Sequence, residues 1–349
     1  MKKIFAIFSI AAALMTACTN DDQYSWEENF ADLTATDTID VAIAWNGVTA
    51  TVSGDNYNYV TVQGADVTVR SAANRFLRLT LSGTSEDGSL TIYSWKKLGV
   101  VLNSLTLTNT DGPAINNQCG KAFYVVTAAG TVNTLADGPA YAERTYDQKG
   151  TLFSEGQIYF LGTGSLTVNG AAKNAIASDD YIVINGGNIN VNVTSDGGRG
   201  IKVNDGITIN GGQTTITTTG DCKIEEAGGV RDTTSAAGIK SDSTFVMNAG
   251  TLVITSSGDG GKGINCSGNV LFKGGTLNIT TTGSNDVGKP KGVKSDTGII
   301  VSGGSFTVKV SKSWACDNGT DSETPADHLT VLGSPASKAI GKKSVMIQY

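Results

Sequence analysis

Between residues 173 and 310 apolar and polar side chains alternate with a period of two, in short runs that recur five times. The copies open on Lys173-Asn174-Ala175-Ile176, Arg199-Gly200-Ile201-Lys202, Ala237-Gly238-Ile239-Lys240, Lys262-Gly263-Ile264-Asn265 and Lys291-Gly292-Val293-Lys294. Each passes through an alternating stretch to a small pair, Gly186-Gly187, Gly211-Gly212, Ala249-Gly250, Gly274-Gly275 and Gly303-Gly304, and then into a second alternating stretch. The pairs are spaced by 25, 38, 25 and 29 residues, so a unit of about 25 carries two insertions. Period-two alternation makes these units strands, and a repeat of this length signals a solenoid. Each unit holds three short strands, with inward positions such as Ile201, Ile207/Ile209 and Thr214/Ile216. Residues two apart share a face of a strand, so stacking the units buries every apolar face in one column. The expected fold class is all-β, a three-sided parallel β-helix with rungs of about 25 residues. The right-handed form is the default for parallel crossovers. The small pairs mark corners, where glycine alone takes positive φ cheaply.

Residues 38–170 alternate less regularly, in Asp40–Gly47, Val60–Val69, Leu77–Thr84 and Val100–Asn109, and Gly150–Gly170 is a degenerate copy of the unit. These read as N-terminal rungs with longer loops near 84–98 and 136–149, and residues 311–349 as a C-terminal cap. One β-helix domain over 38–349 results, since solenoids lengthen by adding rungs. The aromatic residues Trp45, Tyr93, Trp95 and Trp314 lie outside the regular repeats, where burial at the ends of the coil is expected.

The first residues do not continue this pattern. Lys2-Lys3, the apolar run Ile4–Leu14 and Met15-Thr16-Ala17-Cys18 resemble a bacterial lipoprotein signal peptide with its lipobox. The resemblance implies a signal peptide over 1–17 and lipidation of Cys18. Residues 18–37 would be a flexible acidic spacer, and the membrane would be met through the lipid anchor only. Asp21-Asp22 resembles the acidic tag of some Bacteroidetes lipoproteins that reach the cell surface. An outer-membrane lipoprotein facing the cell surface or the periplasm is therefore expected. Loss of Lys2 and Lys3 would leave 24 basic against 32 acidic residues, a net charge of −8 in place of −6. So acidic a chain, without a basic stripe, is not a nucleic-acid binder. Cys119, Cys222, Cys266 and Cys316 show no CxxC spacing; Cys266 falls on an inward position, and no disulfide is assigned.

A single histidine, His328, argues against histidine-rich zinc sites and a Ser-His-Asp triad. Two columns of acids survive alignment of the copies. Asp179, Asp242 and Asp296 follow the first strand, and Asp196, Asp221 and Asp259 follow the third. Neighbouring rungs lie about 4.8 Å apart, within reach of a shared calcium ion. The same aspartates also suit solvent-facing turns. A third column is basic: Lys202, Lys240 and Lys294 point outward. Both insertions, 220–236 with Glu225 and Glu226 and 283–290, fall at the corner after the third strand, near Arg199, as the walls of a cleft. These lysines, Arg199 and the two glutamates are the candidate carbohydrate contacts.

Asp111-Gly112-Pro113-Ala114-Ile115, Asn133-Thr134-Leu135-Ala136-Asp137-Gly138, Leu166-Thr167-Val168-Asn169-Gly170 and the Gly-Ile-Lys-Ser-Asp units resemble a family of secreted bacterial carbohydrate-binding β-helix proteins related to pectate-lyase-like folds. The resemblance spans roughly residues 38–310. It implies a plant or microbial polysaccharide partner, possible uronate content and calcium as cofactor. It brings no catalytic set that maps onto this chain. Two alternatives stay open, a calcium-dependent polysaccharide lyase and an adhesin-like solenoid that binds a protein.

Overall fold

The protein is described here by a computed structural model covering residues 37–228 and 230–349. Cys18, the expected signal peptide and all but the last residue of the expected spacer lie outside the described residues. The rest is all-β, without an α-helix among the described residues and with one 3-10 turn at Pro325–His328. Strands stack in parallel as three columns running along a solenoid. Neither large sheet closes on itself.

Face one contains Ile115–Asn117, Gly150–Ser154, Asn174–Ser178, Arg199–Val203, Ala237–Ser241, Lys262–Cys266, Lys291–Ser295 and Trp314–Asp317. Its register places Ile176 on Ile201, Ile201 on Ile239, Ile239 on Ile264 and Ile264 on Val293. All five are fully buried. Face two stacks Ile182–Ile184, Gly206–Ile209, Thr244–Met247, Val270–Phe272 and Ile299–Val301. Face three stacks Asn188–Val193, Gln213–Thr218, Thr251–Ser256, Thr276–Thr281 and Ser305–Val310. Burial alternates along each strand as the period-two pattern requires, so the core is one apolar column. The second residue of every small pair has positive φ, from +71° at Gly304 to +88° at Gly187.

The serine of Gly-Ile-Lys-Ser points inward and satisfies the corner that follows. Ser295 Oγ donates to Gly298 O at 3.0 Å and accepts from its amide at 2.9 Å. Cys266 takes this place in its rung, fully buried, with Sγ 2.9 Å from Ser243 O. All four described cysteines are free and buried.

The N-terminal half differs from the sequence expectation in more than one respect: Val60–Gln63 and Asp66–Ser71 fold back on each other as an antiparallel hairpin. The region near 84–98 is strand for most of its length, Phe76–Ser85 and Ser89–Ser94. Phe76–Ser85 and Leu98–Asn109 each run through what are separate second and third faces further along, with a register shift between Leu81 and Gly83. At that corner each strand turns through one left-handed residue, Gly83 at φ +86° and Ser104 at φ +62°, without ending the ladder. The hairpin of Thr38–Asn46 with Thr49–Ser53 caps this end, and Ser344–Gln348 pairs antiparallel to Ser305–Val310 at the other. Trp45 is buried, with Nε1 donating to Ala65 O at 2.8 Å, and Trp314 and Tyr93 are half-buried. Trp95 is 79% exposed, against the expected burial.

Candidate functional site

Three segments leave the coil at the same corner, between face three and face one: residues 138–149, the antiparallel hairpin Lys223–Ala227 with Val230–Thr234, and residues 283–290. The last two were expected there. The first lies over face one as a strap. Asp147 O accepts from Asn116 Nδ2 at 3.1 Å and from Gln118 Nε2 at 3.0 Å, and Lys149 Nζ sits 5.4 Å over the Phe153 ring. By register Phe153 faces outward, yet it is fully buried.

Face one brings the expected metal column and the expected lysine column together. Lys202 Nζ bonds Asp242 on the next rung and donates to Asn204 Oδ1 at 3.0 Å; Lys240 Nζ reaches the other Asp242 oxygen at 2.8 Å. Asn204 Nδ2 donates to Asp179 at 3.3 Å, Asp179 pairs with Lys149, and Lys149 pairs with Asp147 at 2.6 Å. Lys294 pairs with Asp296. The result is a ladder of alternating charge across successive rungs. Burial works against the Asp242 charge, but the two ammonium groups prevail and hold its carboxyl below the usual range.

Sequence reading missed Asp147, Glu155 and Lys149. With Asp179, the first two form a group of carboxylates whose ligand oxygens lie within 4.8 Å of one another. Burial, then the neighbouring Asp179, raise the Glu155 carboxyl. Ser154 stacks on Ser178, so Glu155 continues the Asp179 column one rung earlier. Extending the alignment into the degenerate copy at 150–154 would have found it.

The second acid column has backbone partners. Asp196 Oδ1 accepts from the amide of Asp221 at 2.9 Å, Asp221 Oδ1 from Asp259 at 2.7 Å, and Asp259 Oδ1 from Ser284 at 2.9 Å. Each carboxylate therefore caps an amide one rung further along and keeps its second oxygen for solvent.

Between the strap and the hairpin, two rungs have short corners, and a cleft of about 290 Å³ opens there. Lys173, Asn174, Asp196, Arg199, Lys223 and Glu225 line it. Lys223 and Glu225 pair at 2.7 Å across its outer lip. Arg199 lies at its base, half-buried, and its Nε is enclosed without a hydrogen-bond partner among the described residues. Burial lowers the guanidinium from its ordinary value, opposed by Asp242 and Glu225. Glu226 is exposed on the hairpin and does not line the cleft.

One lysine among the described residues has a depressed pKa. Lys262 is buried under the hairpin foot with Nζ bonded to Ser235, and desolvation brings it to about 8. At 9% exposure it is not presented to a polymer, so its free base is not placed for proton abstraction from one.

The family model for carbohydrate-binding domain-containing proteins matches residues 63–323, and the chain belongs to this family. A carbohydrate-binding domain-containing protein of Acetivibrio thermocellus is 30% identical over 145 residues, which are 40% of this chain and 49% of the relative. The matched region thus spans about half the length of that relative. Among solved structures, a polysaccharide lyase-like protein from C. thermocellum, determined as a gadolinium derivative, superposes with a TM-score of 0.53 at 23% identity. It covers 72% of this chain and 100% of its own, a likeness of fold.

Proposed function

We propose that this is a membrane-anchored, extracytoplasmic protein that binds polysaccharide by a right-handed parallel β-helix and acts by binding rather than turnover. The family supports a carbohydrate partner. The observation that carries the site is Arg199: a guanidinium with an unpartnered Nε at the base of an open cleft, in a chain of net charge −6. The guanidinium has no ion-pair or hydrogen-bond partner among the described residues, and a ligand carboxylate entering the cleft would pair with its outer nitrogens. With Lys173 and Lys223 beside it, the cleft suits a uronate-containing glycan of plant or microbial origin, laid along face one against the Lys202, Lys240 and Lys294 ladder. Anchoring through Cys18 would hold this face at the outer membrane, toward the cell surface or the periplasm.

Calcium enters as an assisting ion. Asp147, Glu155 and Asp179 offer the hard oxygen donors it takes. Lys149 already stands among them, so calcium there would compete with the ammonium group. The column Asp196, Asp221 and Asp259 retains one free oxygen per rung for the same ion.

The test is titration of the purified protein with polygalacturonate, comparing wild type with Arg199→Met. At least tenfold weaker binding at unchanged thermal midpoint is expected. Equal affinity in the variant would remove the cleft from the site.

A further inference from the structure

Face one changes character along its length. Beyond Phe153 its outward column carries Lys202, Lys240 and Lys294, with Ala177 and Asn265 on the intervening rungs. On the N-terminal side the register stacks Thr68 on Thr91 and Thr91 on Asn116, an uncharged floor of hydroxyl and amide groups. Over this floor, beside the 138–149 strap, lies a separate and partly enclosed cavity of about 150 Å³. That is room for roughly five waters at ~30 Å³ each, well below the size that holds a drug-like ligand or a length of polymer.

Its walls are built to stay open. Gly112 lines the cavity, and a Cβ there would lie 3.0 Å from both Asn109 Nδ2 and Gln148 Oε1. The strap is fixed from several sides: Ala142 N donates to Asp111 O at 2.8 Å, Gln148 Nε2 donates to Ala142 O at 2.8 Å, and Arg144 pairs with Asp111 at 3.1 Å. At the rim Asp111 and Arg144 thus match each other, while Asp66 accepts from Ser89 Oγ at 2.6 Å and keeps its charge. On the floor, Thr91 is 9% exposed and its hydroxyl, like that of Thr68, has no hydrogen-bond partner among the described residues.

Two unspent threonine hydroxyls among bonded polar side chains, in a space this small, suit the hydroxyl groups of one sugar ring. We propose that this cavity is a second glycan subsite, taking a single neutral sugar residue, such as a chain end or side branch, apart from the cationic cleft at Arg199. The inference rests on the carbohydrate-binding reading of the whole protein but not on the Arg199 cleft.

Saturation-transfer NMR of the full chain with methyl glycosides of glucose, galactose, mannose and xylose tests it. Wild type, Thr91→Val, Arg144→Met and Arg199→Met are compared, with polygalacturonate binding measured on each. Thr91→Val conserves shape and removes one hydroxyl; Arg144→Met removes the exposed Asp111 pair at the strap and serves should the first variant melt early. The expected result is that at least one glycoside binds, that Thr91→Val or Arg144→Met weakens it about tenfold, and that Arg199→Met leaves it unchanged. Saturated polygalacturonate should not displace the glycoside. The subsite is overturned if no neutral glycoside binds, if both cavity variants bind as wild type, or if Arg199→Met abolishes glycoside binding as well. Loss of polygalacturonate binding in Arg199→Met alone bears on the cleft and leaves the cavity standing.

Discussion

The Lys202 ammonium group reaches one rung along the solenoid to the carboxylate of Asp242, which Lys240 also holds at 2.8 Å on its own rung. Two cations thus share one anion on the outward side of face one. Asp242→Asn should release both lysines toward an anionic glycan. Polygalacturonate affinity should rise a few-fold, with a steeper salt dependence. Calorimetry at two ionic strengths checks this, and unchanged affinity would place the glycan elsewhere.

The same pair gives a pH dependence. Asp242 is held below its unfolded value, so its contribution to stability is complete above about pH 4 and is lost as pH falls through the lower folded value. Thermal melts below about pH 4 should fall more steeply for wild type than for Asp242→Asn.

Lys262 works in the opposite sense. Its folded pKa of about 8 lies under the unfolded value near 10.4, so the unfolded chain binds more protons between these values and stability rises with pH across that window. Lys262→Met should abolish this rise and stabilise the protein at pH 7, by at most about 3 kcal/mol. The lost Ser235 contact reduces that gain. Melting curves from pH 7 to 10.5 decide it.

Phe272 and Phe306 meet edge to face at 5.4 Å in the core, on faces two and three, both fully buried. Phe272→Ala should cost about 3–5 kcal/mol by transfer and cavity terms. Gly212 has φ +74°, and a Cβ there would stand 2.7 Å from Gly187 O. Gly212→Ala should therefore destabilise by more than about 2 kcal/mol, from left-handed strain together with the clash. Denaturant unfolding measures both, and a loss below about 1 kcal/mol in either would contradict the stacked corners.

Much of the fold was legible because a solenoid repeats its physics. Ile201, Ile239 and Ile264 occupy equivalent sites, so one sequence period reveals the strands, the inward faces and the corner glycines together. The site was legible only in part. The hairpin that carries Glu225 was expected at its corner, since insertions interrupt the period and so announce themselves, whereas Arg199 was legible only as one basic residue of the repeat. That Lys202 pairs with Asp242 on the next rung could not be read from columns considered separately, because side-chain direction decides it. The long loop near 136–149 was legible, but its place over face one, with Lys149 and Glu155, was not, because the N-terminal copies have drifted; the Thr68–Thr91–Asn116 floor shares no motif with the later rungs.

Binding without turnover is tested most directly by calorimetry of the purified protein against polygalacturonate and neutral glucans. It is run with calcium and then with chelator, while absorbance of unsaturated products is followed. Heat that depends on calcium, with no new absorbance, is the expected result. Rising absorbance, or no heat with any glycan, would contradict it.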